Sequence, residues 1–360
     1  MQHFHTSLQW RRRALCLAGL LALSSTVFAQ GTGPEPASVQ ELAAYQGPDR
    51  AQRILEGARR EGELNLYTSM DAVSSKKVKE AFEAKYGVKV NLWRSSSENV
   101  VQRSVAESKA GRFKFDVAET NGPDMEAIQR EKLLQKVQSP YFPDLVPQAL
   151  LPHGEWVATR LNVFVQGYNT NKVKKADLPK TFEDLLDPKW KGKLAIEMGD
   201  YDWFFTVVNN MGEEKGLKYF RGLVAKNGVS VRKGHALIGQ MLVSGEVPFA
   251  LTVYSFNVDQ GKKIGAPVEV WPVGPLIVRP NGVGISRNAP HPHAAMLFYD
   301  YMLSDAQKLL NDIGLVPVSK KIDSPVLRGH EIQFVDPVVA LDEAPKWQKL
   351  FDEIFMTKAK

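Results

Sequence analysis

Between Glu63 and Ala118 the chain alternates short apolar strands with amphipathic helices, and this order narrows the possible folds more than any other feature. Leu64 and Leu66 alternate along Glu63–Thr68, the period of a strand with one buried face. Ser74 or Ser75 is then placed to cap a helix carrying Val78, Ala81, Phe82 and Tyr86 at helical spacing, with Gly87 as its stop. Val88, Val90 and Leu92 alternate as a second strand. A polar helix around Val100–Lys109 leads to an apolar strand near Phe115–Ala118. Consecutive strands can run parallel only if the connection crosses a face of the sheet, so this order predicts an α/β fold with a parallel sheet. Ligands of such sheets sit beyond the carboxyl ends of the strands. The loops Thr68-Ser69-Met70-Asp71 and Glu119-Thr120-Asn121-Gly122 are therefore the first places to expect one.

Upstream, Asp49 reads as the cap of a helix with Ala51, Ile54, Leu55 and Ala58 on one face, ended by Gly62. Downstream, Val163-Phe164-Val165 reads as a strand. A second mixed unit follows, with helices near Trp203–Met211, Glu213–Ala225 and Ala236–Ser244 and β-rich stretches at Val247–Val253 and Val268–Val278. His293–Met302 is an amphipathic helix with Ala294, Leu297, Phe298 and Tyr301 facing one way. A length of 360 residues suits about two domains, and no internal repeat is visible.

The N-terminus has a different character. Arg11, Arg12 and Arg13 precede an apolar stretch, Ala14–Leu23, and small residues close the segment at Val27-Phe28-Ala29. That pattern predicts a secretory signal peptide cleaved after Ala29; the apolar run falls short of the ~20 residues that span a bilayer. Arg12-Arg13 leaves both the general and the twin-arginine export routes open. Gly31–Ser38 is small, polar and Pro-containing, the composition of a flexible leader. The one cysteine, Cys16, lies inside the signal, so the mature chain can form no disulfide and offers no thiolate. Cleavage removes three arginines and no acid, lowering the net charge from +6 to +3, which does not point to a nucleic-acid partner.

Catalytic motifs are missing. There is no G-x-S-x-G elbow and no phosphate loop, and Gly282-Val283-Gly284 lacks the third glycine of a dinucleotide loop. His330-Glu331 is not followed by the second histidine of a zinc protease. His291 and His293 flank Pro292, where a turn and helix entry explain them better than a metal. No enzyme activity and no cofactor is expected.

Several stretches resemble the family 1 extracellular solute-binding proteins, in the subgroup that includes ferric-ion binders. The most telling is LPKTFEDLLDPKWKGKLAI at Leu178–Ile196; others are GELNLYTS at Gly62–Ser69, VQGYNTNKV at Val165–Val173 and SGEVPFAL at Ser244–Leu251. GAPVEVWPVGP at Gly265–Pro275 and APHPHAAMLFYDYMLSDAQKLL at Ala289–Leu310 complete the set, in family order over nearly the whole mature chain. The resemblance implies a type 2 periplasmic-binding-protein fold, in which two α/β lobes joined by crossing hinge strands close on a ligand in the cleft between them. It also implies a monomer that docks on ABC permease subunits in the periplasm. On that plan residues 1–29 are signal peptide and 30–48 leader. Residues 49–162 with about 280–325 form the first lobe and 163–279 the second, leaving a C-terminal helical segment from about 326 to 360. The hinges fall near Arg160–Val165 and Ile277–Val283.

Candidate ligand-binding residues follow from both lines of reasoning. Thr68, Ser69 and Asn121 lie at predicted carboxyl ends of strands, where hydroxyls and amides serve small-ligand recognition. Arg160 sits where the family often carries a cleft arginine, suited to a carboxylate or phosphate. Asp200, Tyr201 and Asp202 open a second-lobe helix where anion-binding relatives place small hydroxyl residues, so an ammonium, a metal or a sugar hydroxyl is expected there. Ferric binders carry two adjacent tyrosines after the GEVP stretch; here Leu251-Thr252-Val253-Tyr254-Ser255-Phe256 holds one. The leading expectation is therefore a small polar organic anion or zwitterion, with no metal. Ferric iron, held by Tyr254 and Asp200, is the alternative, and a secreted hydrolase using Asp200 and Asp202 a more distant one.

Overall fold

The structure, a computed structural model, describes residues 38–356; the signal peptide, its cleavage site and Cys16 lie outside the described residues. The first element is α1 (Val39–Ala44), capped by the Ser38 hydroxyl, which accepts from the Glu41 N–H at 3.1 Å. Leu42 and Ala43 are buried in the core. Part of the segment 30–48, expected to be a leader, is thus anchored, because two apolar side chains follow a good cap.

The expected alternation then appears as α2 (Arg50–Glu61), β1 (Glu63–Thr68), α3 (Ala72–Tyr86), β2 (Lys89–Arg94), α4 (Ser97–Lys109), β3 (Val117–Asn121) and α5 (Gly122–Arg130). Gly62 and Gly87 end α2 and α3 with φ of 76° and 72°, the left-handed region a side chain resists. The cap of α3 is Asp71, not Ser74 or Ser75: its carboxylate accepts from the N–H groups of Val73 and Ser74. An aspartate at the loop's end satisfies two free N–H groups from outside the helix, which a serine three residues inside cannot do. Strand β1 pairs in parallel with both β2 and β3.

After β4 (Leu134–Gln135) come β5 (Val157–Asn169), β6 (Leu194–Glu197), α6 (Tyr201–Met211), α7 (Glu213–Asn227), β7 (Ser230–Arg232), α8 (His235–Ser244), β8 (Phe249–Tyr254), α9 (Ser255–Lys263), β9 (Val268–Val270) and β10 (Leu276–Ser286). The β-rich stretch expected over Val268–Val278 holds β9 and the start of β10, separated where Pro272 and Pro275 remove N–H donors. Twelve strands among the described residues form one sheet, with the principal order β2-β1-β3-β10-β5-β8-β6-β7. Every residue of β5 and β10 is buried. These two strands pair antiparallel, with Phe164 opposite Ile277, Asn162 opposite Arg279 and Arg160 opposite Asn281. The two segments expected to cross between lobes are therefore hydrogen-bonded neighbours. A bulge interrupts them at Asn281/Gly282, and a Cβ at Gly282 would stand 2.2 Å from Cε3 of Trp156, so only glycine fits.

The chain closes with α10 (Pro292–Leu303), α11 (Asp305–Asp312), β11 (Val316–Pro317), β12 (Ile332–Phe334), α12 (Pro337–Asp342) and α13 (Ala344–Phe351). The C-terminal segment bridges two regions, since α12 packs on α5 while α13 packs on α6. Side chains of β5 feed two cores. Val163 and Val165 join the core of β1–β3 and α10, whereas Phe164 and Tyr168 join that of α6, α7 and α13. Among the described residues no helix is long and apolar enough to cross a membrane.

Phe204 is the hub of the second core, fully buried and edge-on to Phe220, Trp347 and Phe351. Phe204→Ala should lower stability by about 3–5 kcal/mol, the range for emptying a buried aromatic site. Urea unfolding followed by circular dichroism measures it.

Candidate functional site

Parallel strands send their carboxyl ends, and the helices that follow, toward one place. The loops after β1, β2, β3, β6, β7 and β8 surround a cavity of about 1350 Å³, lined among others by Ser69, Met70, Asp71, Arg94, Ser96, Asn121, Asp124, Glu197, His235 and Tyr254. Its floor is the pair of central strands, which contribute Arg160 and Asn162 from β5 and Arg279 and Asn281 from β10.

Two buried guanidinium groups in a sheet need counter-charges, since an unpaired buried ion costs several kcal/mol. Arg160 donates to the carboxylate of Glu119, on β3, and to Asn281 Oδ1 at 3.2 Å. Arg279 donates to Asp202 Oδ2, on α6, at 2.9 Å, and to the Tyr254 hydroxyl. Burial works against the charge of Arg279, but Asp202, Tyr254 and Asp200 outweigh it and hold the guanidinium protonated. Each arginine therefore ties a central strand to the wall on one side of the cavity.

The eight residues singled out from the sequence divide into two sets. Ser69, Asn121, Arg160, Tyr201 and Tyr254 line the cavity. Ser69 Oγ is 2.9 Å from Thr120 Oγ1, and Asn121 caps α5 by accepting from the Asp124 N–H at 3.1 Å. Tyr254 lies flat on the His235 ring, with centroids 3.6 Å apart, and burial raises the pKa of its phenol while Arg279 opposes the rise. Burial raises the phenol of Tyr201 as well. Thr68, Asp200 and Asp202 stand behind the lining. Thr68 Oγ1 donates to Glu119 and accepts from the Met70 N–H, buttressing the Arg160 pair. Asp202 is spent on Arg279, and Asp200 is hydrogen-bonded to His235 Nε2 at 3.0 Å.

Sequence reasoning missed Arg279, Glu197 and His235. A lone arginine inside the apolar run Leu276–Val283 was a usable signal for the first, because a buried strand carries a charge only where something answers it. His235 had none, since its partners are 35 and 38 residues away along the chain. Glu197, Asp200 and His235 each place a ligand atom within 4.8 Å of the others, a group able to hold a metal ion. The Glu197 carboxylate accepts from the N–H of Gly234 at 2.7 Å and from that of Gly199. Burial, then the charge of Asp200, raises its pKa.

A mixed α/β sheet with two long central strands beneath a polar cleft is the architecture of a binding protein that encloses a solute. The chain belongs to the bacterial extracellular solute-binding proteins, whose family pattern it matches over residues 77–330, more than half its length. It is 27% identical over 304 residues to "Iron uptake protein A1" of Synechocystis sp., covering 79% of this chain and 81% of that protein. In structure it is similar to iron-bound HitA of Pseudomonas aeruginosa, with a TM-score of 0.71 and 21% identity over 81% of this chain and 99% of that one. The periplasmic binding protein AfuA of Actinobacillus pleuropneumoniae, with fructose-6-phosphate bound, gives 0.72 and 22% over 82% and 99%. At those identities the structures establish the fold: the type 2 periplasmic-binding-protein arrangement of two α/β lobes with a cleft between.

Desolvation at the cleft wall pushes the Asp124 carboxyl up to about 6 from the ordinary 3.8, against the pull of Arg279. The folded protein thus holds this proton more tightly than the unfolded chain. Ionising Asp124 opposes folding, so this contribution to stability falls between about pH 3.8 and 6 and is level above. Asp124→Asn should raise the urea midpoint at pH 7.5 and bring a much smaller gain at pH 4.

Proposed function

We propose that this chain is the periplasmic binding component of an ABC importer and that it carries iron(III) together with a small anion. The observation that carries the reading is the wall lined by Glu197, His235 and Tyr254 with Asp200 directly behind them, beside a floor holding two arginines. Iron(III) prefers hard, anionic oxygen donors, which carboxylates and a phenolate provide. A small anion, completing the metal's coordination, would face Arg94, Ser96 and Asn121 across the cavity. The names of relatives point the same way, "Iron uptake protein A1" and iron-bound HitA among them. Ferric iron, the alternative on sequence grounds, has more support than the metal-free organic solute that the sequence puts first.

Transport follows from geometry under this reading. Export through the signal peptide brings the chain to the periplasm as a monomer. Residues 49–162 with about 280–325 move against 163–279 about the paired segments 160–165 and 277–283. A solute touching both walls favours the closed form, a population shift that presents one surface to the permease.

A second reading rests on one observation: Ser255 and Phe256 follow Tyr254, so this stretch has one tyrosine where ferric binders have an adjacent pair. Serines, Asn121 and the arginines would then hold an organic anion alone; AfuA, similar in fold, has fructose-6-phosphate bound.

Titration of the purified protein with ferric citrate separates the two. The ferric reading expects a visible phenolate-to-iron band that Tyr254→Phe abolishes. Absence of the band, with a rise in melting temperature on adding citrate or fructose-6-phosphate free of metal, would establish the organic anion instead.

A further inference from the structure

Glu197 ends β6, Asp200 immediately precedes α6 and His235 is the first residue of α8, so two loops, β6–α6 and β7–α8, deliver three metal-ligating side chains to one spot. The contacts around them are incomplete. Asp200 is fully buried, and one carboxylate oxygen meets His235 Nε2 at 3.0 Å while the other has no hydrogen-bond partner. A buried polar atom left this way is costly, the more so for a charged group, unless something is there to meet it. Backbone N–H groups from Gly199 and Gly234 fix the orientation of the Glu197 carboxylate and leave its remaining lone pairs available.

We infer that Glu197, Asp200 and His235 form a metal seat within one wall of the cleft, able to take a first-row transition-metal cation before the lobes close. The inference rests on the reading that the cleft's solute contains a metal, and it names the residues that receive it. Two carboxylates and an imidazole, with no thiolate, suit iron, manganese, cobalt or zinc rather than a soft cation. The 3.0 Å between His235 Nε2 and Asp200 Oδ1 matches the spacing of adjacent ligands that each lie about 2.1 Å from a metal. A cation there replaces the hydrogen bond between them and releases the proton it held. Tyr254, stacked on His235, is then the neighbouring donor, and the opposite wall needs to supply only contacts to the accompanying anion.

Cobalt(II) is the probe, because its visible spectrum reports ligand geometry and requires no phenolate. Purified protein is dialysed against cobalt(II), and retained metal is measured by elemental analysis and absorbance for wild type, Glu197→Gln, Asp200→Asn, His235→Asn and Tyr254→Phe. Wild type and Tyr254→Phe should each retain one cobalt per chain, and the three seat variants should bind about tenfold or more weakly. Circular dichroism melting shows whether each variant is folded; His235→Asn, at the cavity edge, keeps the test alive should the buried Asp200→Asn fail to fold. Wild type that retains no cobalt, or folded seat variants that retain as much as wild type, would overturn the seat. Failure of the ferric reading looks different: cobalt is held and lost as stated, yet ferric citrate gives no band. A ferric band that persists in all three seat variants leaves the ferric reading standing and removes the seat.

Discussion

The pairing of β5 with β10 places charged residues at the centre of a buried sheet, and much of the surrounding structure answers those charges. Arg160 and Arg279 lie near each other on adjacent strands and point to the same cavity, but their carboxylate partners come from opposite sides. Glu119 reaches Arg160 from β3, and Asp202 reaches Arg279 from α6. Buried ion pairs add little net stability over apolar packing, but removing one partner is costly. Their effect is therefore on geometry: they hold the strand ends in register while the loops above carry the chemistry.

That division of labour explains why the cavity has the composition it does. Carboxyl ends of parallel strands deliver short polar side chains such as Ser69 and Asn121, and backbone N–H groups such as that of Gly234, which donates to Glu197. The antiparallel central strands instead contribute a fixed floor. Because the proposed hinge and the floor are the same two strands, a solute that contacts Arg160 or Arg279 would rest on the segment about which the proposed closure turns.

On the β6–α8 side the donors differ from what the family resemblance implies. One tyrosine stands in place of two, and carboxylates stand where anion-binding relatives place small hydroxyl residues. A wall bearing Glu197, Asp200 and His235 favours a cation, while the arginines of the floor favour an anion. A metal complexed with a small anion answers both, and this is the physical reason for preferring it over either component alone.

The alternation of strand and helix from Glu63 to Asn121, the glycine stops at Gly62 and Gly87, and the extended segments at 160–165 and 277–283 were all legible in the sequence. Periodicity and backbone preference are local properties, set by residues a few positions apart. Ser69 and Asn121 reach the cavity for a related reason, since the end of a predicted strand is where a parallel sheet exposes its loops. What the sequence could not reveal were the relations across space: Thr68 turned inward to Glu119, Asp202 taken by Arg279, α1 anchored where a leader was expected, and His235 brought to Asp200. Those contacts depend on which strand lies beside which, and tertiary packing decides that by burying each charge only where a counter-charge arrives from another part of the chain.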